Sequence, residues 1–376
     1  MTFAHLKDEL IAYSKQIGID QIGFASADVF SELKERLKRQ QELGYQSGFE
    51  EPDLDKRTNP NLLVDGAQSI ISIAIAYPSK MKDAPRSIRN ERRGIFCRAS
   101  WGEDYHHVLR DRLEKLAGFL QEKVPDVQYK SMVDTGELSD RAVAERAGIG
   151  FSGKNCSIIT EKFGSYVYLG EMVTNIPFAP DLPVEDSCGD CTICLDACPT
   201  GALIEGGQLN ANRCIAFLTQ TKGFLPDEFR EKIGNRLYGC DTCQMVCPRN
   251  KGIDYHLHEE LEPNPEIVKP KLRPLLTMSN REFKEKFGTI AGSWRGKKPI
   301  QRNALIALAH FKDTSSVEEI GKVLKEDVRP VMRGTAAWAL GKIGTVEARN
   351  ALLFSLEREK DEEVLKEIDK GLAKFV

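Results

Sequence analysis

Two closely spaced groups of cysteines constrain the fold of this chain more than any other feature of its sequence. Residues 188–198 have the spacing Cys-x2-Cys-x2-Cys-x3-Cys and are followed by proline. In this arrangement three thiolates surround one iron–sulfur cluster and the fourth ligates a second cluster. Residues 240–247 repeat the ending, but Leu237 stands where their first cysteine would be, and Cys214 is the remaining candidate in the region. The predicted ligands are Cys188, Cys191, Cys194 and Cys247 for one four-iron cluster, and Cys198, Cys214, Cys240 and Cys243 for the other.

A pair of zinc knuckles is the alternative, because Cys-x2-Cys pairs also bind zinc. A zinc site, however, requires neither the Cys-Pro ending nor eight interleaved thiolates. We therefore predict two 4Fe-4S clusters that are close enough to pass electrons in sequence. Of the ten cysteines, two lie outside these groups. Cys156 is predicted to be a packing residue, and Cys97 is a candidate for lining a site.

The start of the chain and its apolar stretches predict a cytoplasmic protein. Met1–Leu10 contains Lys7, Asp8 and Glu9 instead of an uninterrupted apolar segment, so no secretory signal is expected. The longest apolar stretch, residues 70–77, is much shorter than the roughly 20 residues that span a bilayer. We expect no membrane association, and we expect thiols that stay reduced and available to metals.

Before residue 180 the hydrophobic pattern alternates between helices and strands, which predicts an α/β (α+β) domain. The predicted helices are residues 3–17, 30–43 and 105–124, the predicted strands are residues 22–25, 69–76 and 127–133, and residues 156–160 and 166–173 form a predicted hairpin. Asp134 follows one of these strands. A carboxylate at the C-terminal end of a strand in such a layer is well placed to face a ligand crevice, although a helix cap or a turn is an alternative role.

Composition changes divide the chain into four predicted parts. Prolines at positions 177, 180 and 183 mark a boundary after the first domain. The segments that begin at Pro299 and Pro330 align with a period of 31 residues, which is typical of paired-helix repeats. The predicted parts are an α/β domain at 1–180, a ferredoxin-like domain with two clusters at 181–255, a basic linker at 256–298 and HEAT-like helical repeats at 299–376.

Two further motifs near Asp134 do not match established signatures. Asp104 and His106 begin an Asp-x-His-x-x-Gly pattern, but Leu109 replaces its glycine, so ordinary hydrogen-bonded histidines are expected. The glycine-rich loop at 148–155 is not a P-loop, because Lys154 is not followed by Ser or Thr. We expect the backbone of this loop to approach something flat or bulky.

A basic segment precedes the helical repeats. The net charge of the whole chain is −3, so binding of a polyanion requires a local patch. Residues 281–302 supply one, with seven Lys or Arg against two Glu, and Trp294 lies within it. Basic residues with an aromatic on a loop suit phosphate contacts with RNA, and a solvated charged face is the alternative.

The order of several motifs makes the chain similar to a known family. These motifs are Arg-Thr-Asn-Pro at 57–60, Arg-Ala-Ser-Trp-Gly-Glu-Asp-Tyr-His at 98–106, Val-Asp-Thr-Gly at 133–136, Arg-Ala-Gly-Ile-Gly-Phe-Ser-Gly-Lys-Asn at 146–155, and the double cysteine region. With them the chain resembles the epoxyqueuosine reductases over nearly its whole length. Many members of that family have Tyr where this chain has Ala99.

The resemblance implies a fold, a reaction and cofactors. The fold would be that of a reductive-dehalogenase-like domain, with cobalamin bound base-off between this domain and the cluster domain. Electrons from an external donor would pass through the clusters to form cob(I)alamin. The enzyme would reduce epoxyqueuosine to queuosine in the tRNA anticodon loop, the last step of queuosine biosynthesis. A chain with its own cap repeats is expected to be a monomer.

The same resemblance implies roles for individual residues. Asp134 would be the proton donor, and a pKa raised by an apolar corrin face would suit it to that role. The residues implied in cobalamin binding are Arg57, Cys97, Asp134, Asn155, Ser157, Ile158 and Leu169, with Ile215 and Cys240 on the cluster side. The residues implied in tRNA binding are Lys222, Asn280, Arg281, Arg295, Lys297 and Lys298.

Two other classes of protein remain as alternatives at this point. One is a corrinoid reductive dehalogenase, which the expected lack of an export signal and the basic segment disfavour. The other is an iron–sulfur electron-transfer protein in which clusters and repeats only connect partners. Bound corrinoid would argue against the second alternative, and activity on a tRNA stem-loop would argue against the first.

Overall fold

The structure is a computed structural model that describes residues 2–375. Met1, the first residue of the predicted α/β domain, and Val376, the last residue of the predicted helical repeats, lie outside the described residues. The strands are β1 (Gln21–Ser26), β2 (Ser69–Ala76), β3 (Ile95–Phe96), β4 (Tyr129–Met132), β5 (Phe151–Ser152), β6 (Ile158–Ile159), β7 (Val167–Thr174), β8 (Leu203–Glu205), β9 (Gln208–Leu209) and β10 (Arg236–Tyr238). The α-helices are α1 (Phe3–Gln16), α2 (Ser31–Glu42), α3 (Leu54–Thr58), α4 (Tyr105–Lys123), α5 (Asp140–Arg146), α6 (Ile193–Asp196), α7 (Ile215–Leu218), α8 (Asp227–Ile233), α9 (Thr242–Met245), α10 (Pro265–Val268), α11 (Arg273–Thr277), α12 (Asn280–Phe287), α13 (Lys297–His310), α14 (Val317–Glu326), α15 (Pro330–Ile343), α16 (Val346–Leu356) and α17 (Glu362–Leu372).

The chain divides into two compact units, which are described separately. Unit 1 comprises residues 2–80, 102–214 and 241–262, and unit 2 comprises residues 81–101, 215–240 and 263–375. No helix within the described residues is long and apolar enough to cross a membrane.

The centre of unit 1 is a four-stranded antiparallel sheet with the strand order β1–β2–β7–β4. Helices cover both of its faces: α4 packs against Gly170 through Leu109 and Leu113, and α5 contributes Val143 to the core on the other face. This double coverage explains why every residue of β2 is buried. The predicted strand at 69–76 is confirmed, and the predicted helix at 105–124 ends one residue earlier.

The predicted hairpin at 156–160 and 166–173 is wrong. β6 pairs instead with β5, and β7 lies between β2 and β4 in the central sheet. An isolated bridge from Thr160 to Gly164 closes the loop that separates the two segments. A strand as apolar as β7 is stabilised by burial between two partners, and its partners are distant in sequence.

Unit 2 is built around packed helices. α15 packs against α13, α14 and α17, and α16 packs against α14 and α17. Pro299 lies in the first turn of α13 and Pro330 begins α15, so the 31-residue period marks equivalent helix starts. The predicted paired-helix character of this region is confirmed, and its buried faces form one hydrophobic core with residues 215–240.

Candidate functional site

Asp134 lies in the turn between β4 and α5, in unit 1. Its φ angle is +54°, in the left-handed region that residues other than glycine rarely adopt. The Asp134 N–H donates a hydrogen bond to Oδ2 of Asp140 at 2.8 Å, which holds the turn in this conformation. The Asp134 side chain is 59% exposed, so its carboxylate is accessible to a ligand. Ligands bind beside the carboxyl ends of strands in parallel sheets, but this sheet is antiparallel. The position of Asp134 is therefore explained by the turn and not by that rule.

Two residues at the start of α4 contact the Asp134 carboxylate. The Tyr105 hydroxyl donates a hydrogen bond to Oδ2 of Asp134 at 2.9 Å, and His106 Nε2 lies 3.4 Å from the same oxygen. His106 Nδ1 lies 2.7 Å from Oδ1 of Asp104, which also caps α4. The expected ordinary hydrogen bond of His106 is therefore present, but the sequence did not predict that His106 also pairs with Asp134.

This arrangement shifts the pKa values of His106 and Asp134 in opposite directions. Burial lowers the pKa of His106, but the hydrogen bonds and charges of Asp104 and Asp134 outweigh it and raise this pKa to about 9. The nearby His106 imidazolium lowers the pKa of Asp134, and the Tyr105 hydroxyl lowers it further. The raised pKa expected for Asp134 depends on an apolar corrin face and stays a prediction, because the protein groups alone lower this pKa. The site stores its proton on His106, directly beside Asp134.

A row of stacked aromatic rings holds Tyr105 in place. The Tyr105 ring lies parallel to that of Tyr168 with centroids 4.5 Å apart, and Tyr168 contacts Tyr77 at 4.4 Å. Tyr168 belongs to β7 and Tyr77 follows β2, so the central sheet fixes the position of the row. The Tyr105 hydroxyl is consequently directed at Asp134 by a rigid support.

Asn155 offers a hydrogen-bond donor that the protein does not use. The residue is 6% exposed, and its Oδ1 accepts a hydrogen bond from the Ser157 N–H at 3.1 Å. Its Nδ2 is buried and has no partner within the described residues. Buried amide groups are nearly always hydrogen-bonded, so this donor fits a ligand rich in acceptors, such as the amides and phosphate of a corrinoid.

The other implied cobalamin residues are divided between the units. Arg57, Ser157, Ile158 and Leu169 lie in unit 1 with Asp134 and Asn155. Burial lowers the pKa of Arg57, the Glu50 carboxylate opposes this effect, and the neighbouring Arg141 guanidinium adds to it.

The implied residues of unit 2 are Cys97, Ile215 and Cys240. The Cys97 N–H donates to the carbonyl of Tyr238 at 2.9 Å. A Cβ atom at Gly239, where φ is +72°, would lie 2.2 Å from Sγ of Cys97. Cys97 therefore packs directly against the residue that precedes Cys240, and only glycine is accommodated there.

The cysteine geometry of unit 1 fits the first predicted cluster. Burial raises the pKa of the Cys188 and Cys194 thiols, and the nearby Cys247 thiolate raises both further. These three sulfurs are thus neighbours, although Cys247 is distant in sequence. No disulfide involves any of the ten cysteines, all of which are described, and no three His, Cys, Asp or Glu side chains among residues 2–375 stand close enough to hold a single metal ion.

The second predicted set also has local support within unit 1. Burial raises the pKa of Cys198, but bonds from Thr200 and Ala202 outweigh it and lower this pKa overall, which favours the thiolate form of a cluster ligand. Arg213, which precedes Cys214, donates to the carbonyl of Thr200 at 3.0 Å and so brings Cys214 towards this turn. Leu237 is fully buried in the core of unit 2 and is no substitute for a ligand.

The residues implied in tRNA binding all lie in unit 2. Lys222, Asn280, Arg281 and Lys298 are exposed. Lys297 is half-buried and donates to the carbonyl of Met278 at 2.9 Å. The exposed cations among them are accessible to phosphates.

Trp294 and Arg295 form a small platform within the basic segment. The Trp294 indole is 53% exposed, its N–H donates to Oε1 of Gln220 at 2.8 Å, and the Arg295 guanidinium lies 4.9 Å from its ring. An exposed aromatic ring beside cations can stack on a nucleobase.

Arg302, at the end of the basic segment, does not belong to this surface. It is 2% exposed, and its guanidinium donates to the carbonyls of Leu218, Thr221 and Gly223. Burial lowers its pKa to about 10, so it remains charged at neutral pH. Arg302 fixes the loop that carries Lys222, and the count of seven basic residues overstated the surface charge by one.

Comparisons with known proteins agree with this architecture. The family model described as "Epoxyqueuosine reductase QueG, DUF1730" matches residues 57–135, a 4Fe-4S double cluster binding domain matches residues 187–250, and HEAT repeats match residues 295–373. The epoxyqueuosine reductase of Bacillus cereus is 70% identical over 372 residues, which are 99% of this chain and 98% of that protein. That of Escherichia coli (strain K12) is 30% identical and covers 98% of this chain and 97% of its own length.

Two solved structures superpose over the whole chain. A crystal structure of epoxyqueuosine reductase with an epoxyqueuosine-modified tRNA-Tyr stem loop has a TM-score of 0.97 at 68% identity and covers 100% of both chains. A structure of the Bacillus subtilis enzyme, with its Asp134 catalytic loop swung out of the active site, has a TM-score of 0.97 at 67% identity and covers 100% of both chains.

The double-cluster region, the acid site on the α/β domain and the helical repeats define an iron–sulfur redox enzyme. Identity of this extent over essentially full length narrows the class to one family. The chain belongs to the epoxyqueuosine reductase family. Membership decides against the two alternatives considered from the sequence, a reductive dehalogenase and a bare electron carrier.

Proposed function

We propose that this chain reduces epoxyqueuosine to queuosine in the anticodon loop of tRNA, in the cytoplasm. The observation that carries the proposal is the Asp104–His106–Asp134 arrangement beside the exposed Asp134 carboxylate, in a chain whose relatives are epoxyqueuosine reductases. Conversion of an epoxide to an alkene consumes two electrons and two protons and releases one water molecule. The chain must therefore supply protons to oxygen at the carbon–oxygen bonds that break.

The residues around Asp134 can perform this proton transfer. The His106 imidazolium holds a proton at neutral pH and lies 3.4 Å from Oδ2 of Asp134. Transfer through Asp134 to the epoxide oxygen converts a poor leaving group into an alcohol as the first carbon–oxygen bond breaks. A second proton is needed when the second bond breaks and water leaves. Tyr105 keeps the carboxylate oriented throughout.

The cofactors belong to the same proposal. Bound cobalamin would supply the two electrons, after reduction through two 4Fe-4S clusters by an external donor. Arg57, Asn155, Ser157, Ile158 and Leu169 would hold it on unit 1, and Asn155 Nδ2 is a suitable donor for it. Cys97, Ile215 and Cys240 are further proposed cobalamin contacts. Base-off binding and a monomeric state are part of the proposal.

A single-turnover assay tests the proposed function. The protein, reconstituted with iron and sulfide and chemically reduced, is mixed with an epoxyqueuosine-containing anticodon stem-loop, with cobalamin either added or omitted. We expect queuosine only when cobalamin is present. Equal product without cobalamin would contradict the cofactor assignment, and no product in either arm would contradict the proposed reaction.

The rate should depend on the protonation of His106. Because its pKa is raised to about 9, the imidazolium is present below that pH and is lost as the pH rises through it. We therefore expect turnover to fall with an inflection near pH 9, and we expect His106→Gln to be slower and to lack this inflection.

Tyr105→Phe is the matched control for the pH experiment. It removes the other group that is hydrogen-bonded to Asp134, whose ordinary pKa is about 10. The inflection near pH 9 should persist in Tyr105→Phe. If it persists in His106→Gln and disappears in Tyr105→Phe, the proton belongs to the tyrosine and the role of His106 is wrong.

Binding of tRNA should depend on the exposed cations of unit 2. Replacing Arg281 and Lys298 together by Ala should weaken stem-loop binding and reduce the slope of log K against log salt by about 1 for each lost phosphate contact. Replacing Lys322 and Lys366 together by Ala is the matched control, since both are exposed lysines, on α14 and α17, that pair with Glu318 and Glu363. An equal loss of affinity in both proteins would show that only net charge matters.

A further inference from the structure

One buried acidic side chain plays no part in the mechanism described so far. Glu171 lies in the middle of β7, is 0% exposed, and neither of its carboxyl oxygens accepts a hydrogen bond from a donor within residues 2–375. Its cross-strand neighbours are Ser72 on β2 and Met132 on β4. A charged carboxylate in such surroundings would have neither solvent nor a cation to stabilise it, so Glu171 must hold a proton.

A second carboxyl group, that of Asp140, acts on Glu171. Asp140 begins α5, which packs against β7 on the face that Glu171 shares with Val173. Burial and the charges of Asp140 and Asp134 raise the pKa of Glu171 well above its usual range. Neighbouring carboxyl groups disfavour each other's ionisation, so the fully buried Glu171 keeps its proton while Asp140 is ionised.

Asp140 connects this buried group to the reactive turn. Burial and the charge of Asp134 raise the pKa of Asp140 to about 6, and Arg141, the charged neighbour on α5, opposes this shift. The Asp140 carboxylate accepts the Asp134 N–H at 2.8 Å, and Asp134 has the strained φ of +54°. The strained turn therefore depends on the position of the Asp140 carboxylate.

We propose that Glu171 and Asp140 are positioning residues: Glu171 donates a hydrogen bond to the Asp140 carboxylate and so holds it on the backbone N–H of Asp134. The chain of contacts runs from the central strand through the first residue of α5 to the reactive carboxylate. It gives a role to a glutamate in the middle of a buried strand. The inference rests on the proposed reduction at Asp134, because it assigns the groups that keep Asp134 in place for that reaction.

Two substitutions separate the hydrogen bond from the charge. Glu171→Gln keeps a donor, its amide N–H, at the same distance, whereas Glu171→Met keeps the length and removes the donor. Because a displacement of about 1 Å at a reacting group can cost about a hundredfold in rate, we expect Glu171→Met to be slower by tenfold or more in single turnover. Glu171→Gln should retain at least about a third of the wild-type rate, and both should bind the stem-loop like wild type.

Two further measurements do not require turnover, so they distinguish a failure of this inference from a failure of the proposed function. Infrared spectra at neutral pH should contain the carbonyl band of a protonated carboxylic acid that both substitutions remove. Hydrogen exchange of residues 132–136 should be faster in Glu171→Met than in wild type and unchanged in Glu171→Gln.

Three results would overturn the inference. The first is the absence of the protonated-carboxyl band from the wild-type protein. The second is a folded Glu171→Met protein with the exchange pattern and rate of wild type. The third is a Glu171→Gln protein as impaired as Glu171→Met, since this would show that a titrating proton, and not a hydrogen-bond donor, is required.

Discussion

Asp134→Asn should lower single-turnover reduction of epoxyqueuosine by about two orders of magnitude or more, while cobalamin and stem-loop binding stay close to wild type. The amide retains the size of the side chain and can still accept the Tyr105 hydrogen bond. It cannot receive a proton from His106 and pass it on. The barrier to carbon–oxygen cleavage should therefore rise, and binding should not change.

Glu137→Gln is the matched control for this substitution. Glu137 belongs to the same turn and pairs with Lys130, so its replacement removes one carboxylate charge without touching His106. We expect its turnover to remain close to wild type. If Asp134→Asn turns over like Glu137→Gln, Asp134 is not the proton donor. The rates are measured with cobalamin-loaded protein under anaerobic single-turnover conditions.

Cys214→Ala should abolish turnover and remove half of the bound iron. Two 4Fe-4S clusters contain about eight irons, so we expect about four to remain in this variant. The physical reason is that a thiolate ligand cannot be replaced by a methyl group, and Leu237, at the vacant position of the second cysteine run, lies in the hydrophobic core. Iron analysis and the visible absorbance of the reconstituted protein provide the measurement.

Cys156→Ser is the control for the cluster experiment, because Cys156 lies outside both cysteine runs. Its iron content should equal that of wild type. Full iron in Cys214→Ala would show that another residue completes the second cluster. One zinc per four cysteines in colourless wild-type protein would overturn the iron–sulfur assignment altogether.

The local sequence was sufficient to predict structure where a pattern extends over neighbouring residues. The apolar run at 69–76 predicted β2 to the residue, and the 31-residue period predicted the paired helices, with Pro299 and Pro330 in the first turns of α13 and α15. The cysteine spacing predicted a double-cluster region that the matching domain at residues 187–250 confirms. Such signals depend on hydrophobic periodicity and ligand spacing, both of which are local.

Two predictions from the sequence were wrong because contacts between residues distant in sequence decided the structure. The segment at 166–173 pairs with β2 and β4 and not with its neighbour in sequence, because burial of both faces outweighs the short loop. Arg302 was counted with the basic surface, but it is buried and bonded to the carbonyls of the loop at 218–223. Charge in a sequence does not reveal which cations find acceptors inside the fold.

By itself, the sequence determined the cysteine runs, the helical repeats and the importance of the turn that contains Asp134. Only the tertiary structure decided the protonation chemistry of that turn. Asp134 and His106 lie on different elements, and the sheet and α4 bring their side chains to within 3.4 Å of one another. A pKa depends on burial and on the charges nearby in space, and here these raise the pKa of His106 and lower that of Asp134.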